Sequence, residues 1–394
     1  MKRLKSVALA AAASLSCSLL LPAESLACTS FVLKAADGTA VYGRTMEWGA
    51  FDLNSRLVVV PRGHEFTGHT PDGKAGLTWR GRHGAVALDA LEKDLLTDGM
   101  NEQGLVVGAL YLPGFAKYQP YEPDAAARSL GPGDMASYLL TRFATVDEVR
   151  AGLEDVRVVP IPEKALGGIT PPLHWMVAER SGRAIVVEYL EGRLHVFDNP
   201  LRVLTNAPSF DWHMTNLRNY VNLSPVALPG MRLEDLDFTP LGGGSGLIGL
   251  PGDFTPPSRF VRAVAFTQTA RRTPDGPETV YEALRILDNF NVPLGASEGS
   301  NVQGTALEGM RSSTIWTSVA DTGNLVYYYH TQHNRRLRMA DLKKIDFSAG
   351  KAGLQHFALD KDRSQEVKDV TPRGGTTLGI DGVIKQLENP AARQ

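Results

Sequence analysis

The N-terminus of this chain sets the point at which its folded part can begin. A short basic stretch is followed by an apolar run over residues 7–21, and small residues lead up to Ala27. This order is typical of a secretory signal peptide, and the run is shorter than the roughly 20 apolar residues of a membrane-spanning helix. We therefore expect 1–27 to be a signal peptide and 28–394 to form a single domain.

Charge and composition narrow the range of partners. The chain is 43% hydrophobic and 21% charged, with a formal net charge of −2. No basic run exceeds a few residues, so nucleic acid is not expected as a partner. No later stretch is apolar enough to span a bilayer, so no membrane association is expected after signal cleavage. The predicted location is the periplasm or the exterior of the cell.

Cysteine usage gives the first indication of chemistry. The chain has two cysteines, and Cys17 lies inside the apolar run that cleavage would remove. The processed chain would hold Cys28 alone and could form no internal disulfide, which is unusual for an exported protein. Cys28 would then be an inert core residue, a lipid-accepting residue or a nucleophile exposed by cleavage.

The residues around Cys28 favour a nucleophile over a lipid anchor. Ser25 occupies the position where a lipidation site usually has a large aliphatic residue, and strand-like sequence follows Cys28 without a polar tether. A cysteine at a free N-terminus carries its own base, because an α-amino group has a pKa of about 7.7–8.0. The alternative of another class is a non-catalytic, acyl-ligand-binding lipoprotein anchored through Cys28.

A hairpin is predicted immediately after Cys28. Two strand-like segments, over 28–34 and 39–48, flank Asp37-Gly38, which is a strong signal for a two-residue turn. Pairing across such a turn would place Glu47 opposite Cys28. Alternation would direct Arg44 to the face opposite Glu47, so a bulge is expected if both side chains reach one site.

Four motifs in order carry a resemblance to a known family. They are "CTSFVLKAADGTAVYGRTMEW" from Cys28, "TDGMNEQGL" over 97–105, "VLTNAPSFDWH" over 203–213 and "GLPGDFTPPSRFVR" over 249–262. The sequence resembles the choloylglycine hydrolase family, which includes bile salt hydrolases and penicillin V acylases. The resemblance implies an α+β fold, the αββα four-layer sandwich of N-terminal nucleophile hydrolases.

The resemblance also implies the roles of individual residues. The catalytic residues that it implies are Cys28 as nucleophile, Arg44 beside the thiol, Glu47 in place of the family aspartate, Asn206 as oxyanion donor and Arg259 as an ordering residue. Tyr111 replaces the asparagine of bile salt hydrolases, as in penicillin V acylases, and its backbone N–H would be the second oxyanion donor. The expected substrate pocket comprises Trp48, Phe51, Tyr111, Leu112 and Phe115.

Tyr111 and the aromatic loops favour an aromatic acyl group, so the expected activity is that of a penicillin V acylase. A conjugated bile salt hydrolase and an N-acyl homoserine lactone acylase are the alternatives. No cofactor or metal is expected, and the partner is a small acyl-amide substrate. The resemblance of 219–241 to a segment that reaches across subunits implies a homotetramer.

The remaining patterns predict ordinary structure. Apolar spacing predicts helices over 134–154, 259–270 and 278–290. A further hairpin is predicted over 184–197, and a strand over 324–330. His213 is interpreted as structural, and His330-x-x-His333 lacks the features of a zinc site.

Overall fold

The computed structural model describes residues 28–49, 52–298, 311–348, 353–362 and 365–371. The predicted signal peptide and Phe51 lie outside these described residues. No helix within the described ranges is both long enough and apolar enough to cross a bilayer.

The described residues form two large antiparallel sheets. Their strands, numbered along the chain, are in the first sheet β1 (Cys28–Lys34), β2 (Ala40–Trp48), β14 (Val203–Leu204), β17 (Ser297–Glu298), β18 (Arg311–Asp321), β19 (Val326–Thr331) and β20 (Arg338–Asp341). Those of the second sheet are β3 (Arg56–Val60), β6 (Ala85–Ala90), β7 (Leu95–Asn101), β8 (Val106–Tyr111), β11 (Leu173–Ala178), β12 (Ala184–Leu190), β13 (Arg193–Asp198) and β21 (Gln355–Ala358). The strand orders are β14-β1-β2-β18-β19-β20, with β17 beside β18, and β13-β12-β11-β8-β7-β6-β3-β21.

Three small strand pairs lie outside these sheets. They are β4 (Glu65–His69) with β5 (Ala75–Arg80), β9 (Ser129–Leu130) with β10 (Arg157–Val158), and β15 (Met231–Leu233) with β16 (Leu236–Phe238). The α-helices are α1 (Met135–Arg142), α2 (Val146–Glu154), α3 (Phe210–Asn216), α4 (Pro256–Thr269) and α5 (Gly276–Asp288). Short 3₁₀ helices cover Pro123–Arg128, Pro132–Asp134, Lys164–Leu166, Leu217–Tyr220, Ser245–Leu247 and Leu342–Lys344.

The predicted helix over 134–154 is two helices in the structure. The buried Nδ2 of Asn101 donates to the carbonyls of Leu140 and Phe143, both at 2.8 Å, and so satisfies the end of α1. Thr145 then caps α2 by accepting a hydrogen bond from the backbone N–H of Glu148. A side chain from a distant strand therefore ends a helix that apolar spacing alone would continue.

Amphipathic helices bury the outer face of each sheet. Val280, Ala283, Ile286 and Leu287 of α5 are buried in a cluster with residues of both sheets. Full burial of a large aliphatic side chain contributes about 1.5–3 kcal/mol. A second cluster joins α1 and α2 to the far side of the second sheet. The layers are helix, sheet, sheet and helix, which confirms the predicted αββα sandwich.

The hairpin at the start of the chain has a different register from the predicted one. Cys28 pairs with Met46 rather than Glu47, so the prediction was wrong by one residue. The backbone N–H groups of Ala36 and Asp37 donate to the carbonyls of Thr273 and Pro274, in the loop before α5. The turn is therefore a loop over 35–39, in which Ala35 and Gly38 donate to carbonyls of the turn itself while the two donors between them bind another loop.

Candidate active site

The first residue of β1 lies at the centre of a polar cluster. Cys28 is 2% exposed, and its Sγ is 3.5 Å from Nη2 of Arg44. The pairing of Cys28 with Met46 explains this contact, since Arg44 is two residues earlier in β2 and extends from the same face. A guanidinium at this distance stabilises negative charge on sulfur.

Arg44 keeps its charge although it is fully buried. Burial by itself would lower the pKa of Arg44, but Cys28, Tyr42 and Asp98 outweigh this effect and raise the pKa above its usual range. Its Nη1 donates to the carbonyl of Thr97 at 2.6 Å and lies 3.6 Å from Oδ1 of Asp98. The cation beside Cys28 is thus held by the second sheet.

Asn206, which follows β14, connects Cys28 to the opposite sheet. Its Oδ1 accepts from the backbone nitrogen of Cys28 at 2.6 Å and from Nη2 of Arg259 at 2.7 Å. Its Nδ2 donates to the carbonyl of Tyr111 at 2.8 Å. Two donors on the oxygen and an acceptor on the nitrogen fix the orientation of this amide.

Arg259 ties α4 to the beginning of β1. Its Nη1 donates to the carbonyl of Cys28 and to the hydroxyl of Thr29, and its Nε donates to the carbonyl of Phe254. Burial lowers the pKa of Arg259 to about 10, against the opposing effect of the Glu47 carboxylate. The guanidinium remains charged near neutral pH and orders the backbone at Cys28.

Glu47 is fully buried, and its Oε1 accepts from the hydroxyl of Thr314 at 2.7 Å. Burial raises the pKa of Glu47 to about 7, although Arg259 and Thr314 partly oppose the shift. The register irregularity next to Glu47 lies in β18, between Thr314 and Trp316, whereas β2 pairs with β1 without interruption. The pairing of β1 with β2 therefore lacks the bulge expected within the first hairpin, and the irregularity lies in β18 instead.

A small cavity opens beside Cys28. Its volume is about 80 Å³, and it is lined by Cys28, Arg44, Met46, Glu47, Trp48, Leu53, Ala90, Leu91, Leu95, Leu96, Thr97, Ala109, Tyr111, Gly133, Leu166, Pro171 and Leu173. Most of these side chains are apolar, and the rings of Trp48 and Tyr111 meet edge to face at 6.1 Å. The cavity can hold an apolar group next to the sulfur of Cys28.

The structure brings together most of the residues predicted for the site. Trp48 and Tyr111 line the cavity with Cys28, whereas Leu112 and Phe115 are not among its described lining residues. Leu112 is fully buried and Phe115 is 43% exposed. Phe51 lies outside the described residues.

Sequence reasoning missed a buried pair, formed by His174 and Glu188, near Asn206. His174 Nδ1 lies 2.8 Å from Oε1 of Glu188, and its Nε2 lies 2.9 Å from the carbonyl of Thr205. Glu188 also accepts from the backbone N–H of Phe210. These contacts hold both flanks of Asn206, but no local pattern marks residues that meet only through folding.

His213 has the structural position expected for it. Its Nε2 lies 2.8 Å from the carbonyl of Asn206, and its ring stacks on Phe260 at 4.6 Å. Because a carbonyl only accepts, Nε2 carries the proton in this contact. Burial lowers the pKa of His213 to about 4, so the ring is neutral at neutral pH.

One group of possible metal ligands occurs in the part of the chain that the structure describes, namely Asp89, Asp94 and His356. Arg56 already donates to both carboxylates, at 2.6 Å and 3.0 Å. The positive charge that these groups attract is supplied by the chain itself.

Comparisons with known proteins agree with this geometry. A family profile described as linear amide C–N hydrolases, choloylglycine hydrolase family, matches residues 28–356. Bile salt hydrolase/transferase of Clostridium perfringens is 33% identical over 321 residues, covering 80% of this chain and 93% of that protein. Penicillin V acylase of Pectobacterium atrosepticum is 28% identical over 349 residues, covering 83% of this chain and 84% of that protein.

Solved structures share the fold. A variant of conjugated bile acid hydrolase from Clostridium perfringens superimposes with a TM-score of 0.74 and 29% identity, covering 87% of this chain and 100% of that one. Penicillin V acylase from Agrobacterium tumefaciens superimposes with a TM-score of 0.66 and 25% identity, covering 84% of this chain and 90% of that one.

Proposed function

Because the chain belongs to the choloylglycine hydrolase family of linear amide C–N hydrolases, we propose that it is an N-terminal cysteine amidase of the penicillin V acylase type. It would hydrolyse phenoxymethylpenicillin to phenoxyacetate and 6-aminopenicillanate. The observation that carries this proposal is the small apolar cavity, bordered by Trp48 and Tyr111, next to the sulfur of Cys28.

In the proposed reaction, the α-amino group of a processed Cys28 takes the thiol proton. The thiolate then attacks the amide carbonyl, the C–N bond breaks, and the departing amine takes the proton from the α-ammonium group. Water, deprotonated by the α-amino group of Cys28, then attacks the thioester carbonyl. The C–S bond breaks, the carboxylic acid is released, and the sulfur takes back the proton from the α-ammonium group. Asn206 Oδ1, at 2.6 Å, holds the amine in place throughout.

The proposed oxyanion donors are Nδ2 of Asn206 and the backbone N–H of Tyr111. The amide nitrogen of Asn206 carries two hydrogens, and the Tyr111 carbonyl accepts one of them at 2.8 Å. The other is the proposed donor to the tetrahedral intermediate. A preorganised donor of this kind contributes about 10²–10³ in rate.

The size of the cavity supports a small acyl group. Pockets for drug-sized ligands occupy about 300–1,000 Å³, whereas this cavity measures about 80 Å³. One aromatic ring is a better match to this space than a steroid. Conjugated bile salts are the runner-up substrates, favoured by the 33% identity to the Clostridium perfringens protein. Long-chain N-acyl homoserine lactones come third.

The test is amine release from penicillin V, glycocholate and a long-chain N-acyl homoserine lactone, with Cys28→Ser as the control. We expect the highest kcat/KM with penicillin V and loss of nearly all turnover in the variant. A preference for glycocholate or the lactone would support the amidase activity but contradict the proposed preference for an aromatic acyl group. Substantial activity of Cys28→Ser would overturn the nucleophile.

We further propose that export and cleavage after Ala27 expose the α-amino group of Cys28. The basic and apolar segment before Ala27 supports this, and it predicts a periplasmic or secreted protein. N-terminal sequencing and intact mass of the exported protein should give an unmodified Cys28. A diacylated cysteine would favour the lipoprotein alternative. A version with one extra residue before Cys28 should be inactive, because a peptide bond would replace the amine.

A homotetramer is proposed from the segment around β15 and β16. Four apolar side chains of this hairpin, Met231, Leu233, Leu236 and Phe238, are each at least 50% exposed. Contiguous exposed apolar surface is typical of a protein–protein interface. Light scattering after size exclusion should give four chains per particle, and Leu236→Asp with Phe238→Asp should give smaller particles. A wild-type monomer would refute the assembly.

A further inference from the structure

A fully buried carboxylate lies between the two sheets, behind the proposed nucleophile. Asp98 of β7 accepts from the hydroxyls of Tyr42 at 2.9 Å, Ser318 at 2.7 Å and Tyr327 at 2.5 Å. These donors come from β2, β18 and β19 of the facing sheet. Three hydroxyl donors on one carboxyl group suit its ionised form, which only accepts hydrogen bonds.

The two tyrosines are reliable donors to this carboxylate. Burial, followed by the negative charge of Asp98, raises the pKa of Tyr42 and of Tyr327 well above the usual range. Both hydroxyls therefore keep their protons at neutral pH. The cluster is fixed from three strands and does not depend on solvent.

Arg44 connects this cluster to the sulfur of Cys28. Its Nη1 lies 3.6 Å from Oδ1 of Asp98, and its Nη2 lies 3.5 Å from Sγ of Cys28. The guanidinium also lies over the ring of Trp316, 5.3 Å from the centroid. A buried cation without a counter-charge is costly, so the carboxylate fixes both the charge and the position of Arg44.

A glycine provides the space that the cluster occupies. Gly108 pairs directly with Asp98 in the neighbouring strand β8. A Cβ at this position would collide with the hydroxyl of Tyr42 and lie 3.2 Å from Oδ1 of Asp98. Any larger residue would displace the hydroxyl from the carboxylate.

We propose that Asp98 is a positioning residue that holds the Arg44 guanidinium against the sulfur of Cys28. The hydroxyls of Tyr42, Ser318 and Tyr327 fix the carboxylate in turn. The inference rests on the proposed function, in which Cys28 is the nucleophile. Charged and titratable groups around Arg44 are Cys28 from β1, Tyr42 and Glu47 from β2, and Asp98 from β7.

The test is a double-mutant cycle between Asp98→Asn and Arg44→Gln. The readouts are the second-order rate of Cys28 alkylation by iodoacetamide at pH 7, and kcat with penicillin V. If Asp98 acts through Arg44, Asp98→Asn should slow both by about 10²-fold, since misplacement by about 1 Å has effects of that size. The double variant should be no slower than Arg44→Gln alone.

Asp89→Asn is the matched control. Asp89 is also fully buried and paired with an arginine, Arg56, but it does not contact Arg44. The alkylation rate of Asp89→Asn should stay within about threefold of that of the wild type, because the substitution removes a buried carboxylate without touching the cluster around Asp98. Rates of Asp98→Asn that equal or exceed the wild-type rate, or losses that multiply in the double variant, would overturn the proposal.

Two milder variants keep the test decisive if Asp98→Asn does not fold. Tyr327→Phe removes one donor and Gly108→Ala displaces Tyr42, while both retain Asp98 and Arg44. Each should slow alkylation, and neither should slow it further in the Arg44→Gln background. If alkylation and turnover depend on Cys28 but the cycle is multiplicative, the positioning role fails and the proposed function stands.

Discussion

The backbone nitrogen of Cys28 lies 2.6 Å from Oδ1 of Asn206, whose Nδ2 faces the carbonyl of Tyr111. One side chain therefore touches the group proposed as the base and offers a donor to the proposed oxyanion. This double contact means that the two ends of the amide can be tested separately.

Asn206→Asp retains the acceptor for Cys28 and Arg259 but removes the amide donor. We expect kcat to fall by about 10²–10³-fold, because a carboxylate cannot stabilise an oxyanion. KM should change by less than about threefold, since the lost contact is made in the transition state. Steady-state kinetics with penicillin V measure both values.

Asn199→Asp is the control for that substitution. Asn199 is also buried, and its amide bonds the backbone of Val203 without contacting Cys28. Its kcat per folded molecule should match that of the wild type. Equal losses in the two variants would contradict the role of Asn206.

Glu47 should make the free energy of unfolding depend on pH. Its pKa is about 7 in the folded protein against 4.5 for a free side chain. Between these values the folded state keeps a proton that the unfolded state has lost, so stability falls as pH rises, by on the order of 3 kcal/mol. Urea unfolding should show that the free energy of unfolding of Glu47→Gln, relative to that of the wild type, is higher at pH 8 than at pH 5.

The hydrogen bond from Thr314 lowers the pKa of Glu47, so Thr314→Val provides an independent check. Its removal should extend the pH-dependent loss of stability to higher pH. Parallel stability curves for the wild type and Glu47→Gln would show that Glu47 titrates alike in both states.

His213 should change the free energy of unfolding with pH in the opposite direction to Glu47, and over a lower pH range. Its folded pKa of about 4 is below the free value of 6.5, so the unfolded state binds the extra proton between these values. Stability is therefore lost as pH falls from about 6.5 to 4, by on the order of 3 kcal/mol. Thermal unfolding of His213→Gln should lack this part of the dependence.

The same residue separates stability from activity. Gln can still donate to the carbonyl of Asn206, whereas His213→Phe keeps only the ring stacking on Phe260. We expect His213→Phe to lose more kcat than His213→Gln, because only the former releases Asn206. Equal activity in the two variants would show that the hydrogen bond from His213 to Asn206 does not affect turnover.

Removal of an aromatic wall should change acyl selectivity. Trp48→Ala removes the edge-to-face contact with Tyr111, and such contacts contribute about 0.5–1.5 kcal/mol beyond area. KM for penicillin V should rise by up to about tenfold, while glycocholate gains relative to it. Phe115→Ala, at an exposed position outside the cavity lining, should leave both KM values unchanged.

Local patterns were sufficient for much of the secondary structure. The predicted hairpin over 184–197 and the helices near 259–270 and 278–290 occur within a few residues of the predicted positions. Their apolar spacing and turn residues are local, and local signals are what a single sequence records. The break between α1 and α2 depends on Asn101, about 40 residues away, and has no local signal.

The candidate site, too, could be predicted only in part from the sequence. Family motifs contain Cys28, Arg44, Asn206 and Arg259, and folding brings these residues into contact. Asp98 lies in the motif over 97–105, but the motif alone predicts no role for it, because its partners Ser318 and Tyr327 are more than 200 residues distant. The register of the first hairpin failed for a related reason, since a remote loop captures two of its donors.

Part of the cavity wall comes from a different sheet than Cys28 and Arg44. Cys28 and Arg44 belong to the first sheet, whereas Leu96, Tyr111 and Leu173 line the cavity from the second. Substitutions at Leu96 or Leu173, which line the cavity but make no contact described above with Arg44 or Asn206, are therefore expected to alter which acyl group is accepted while Cys28 and Arg44 keep their positions. This separation makes the scaffold evolvable, because selectivity can drift through viable intermediates without passing through an inactive enzyme.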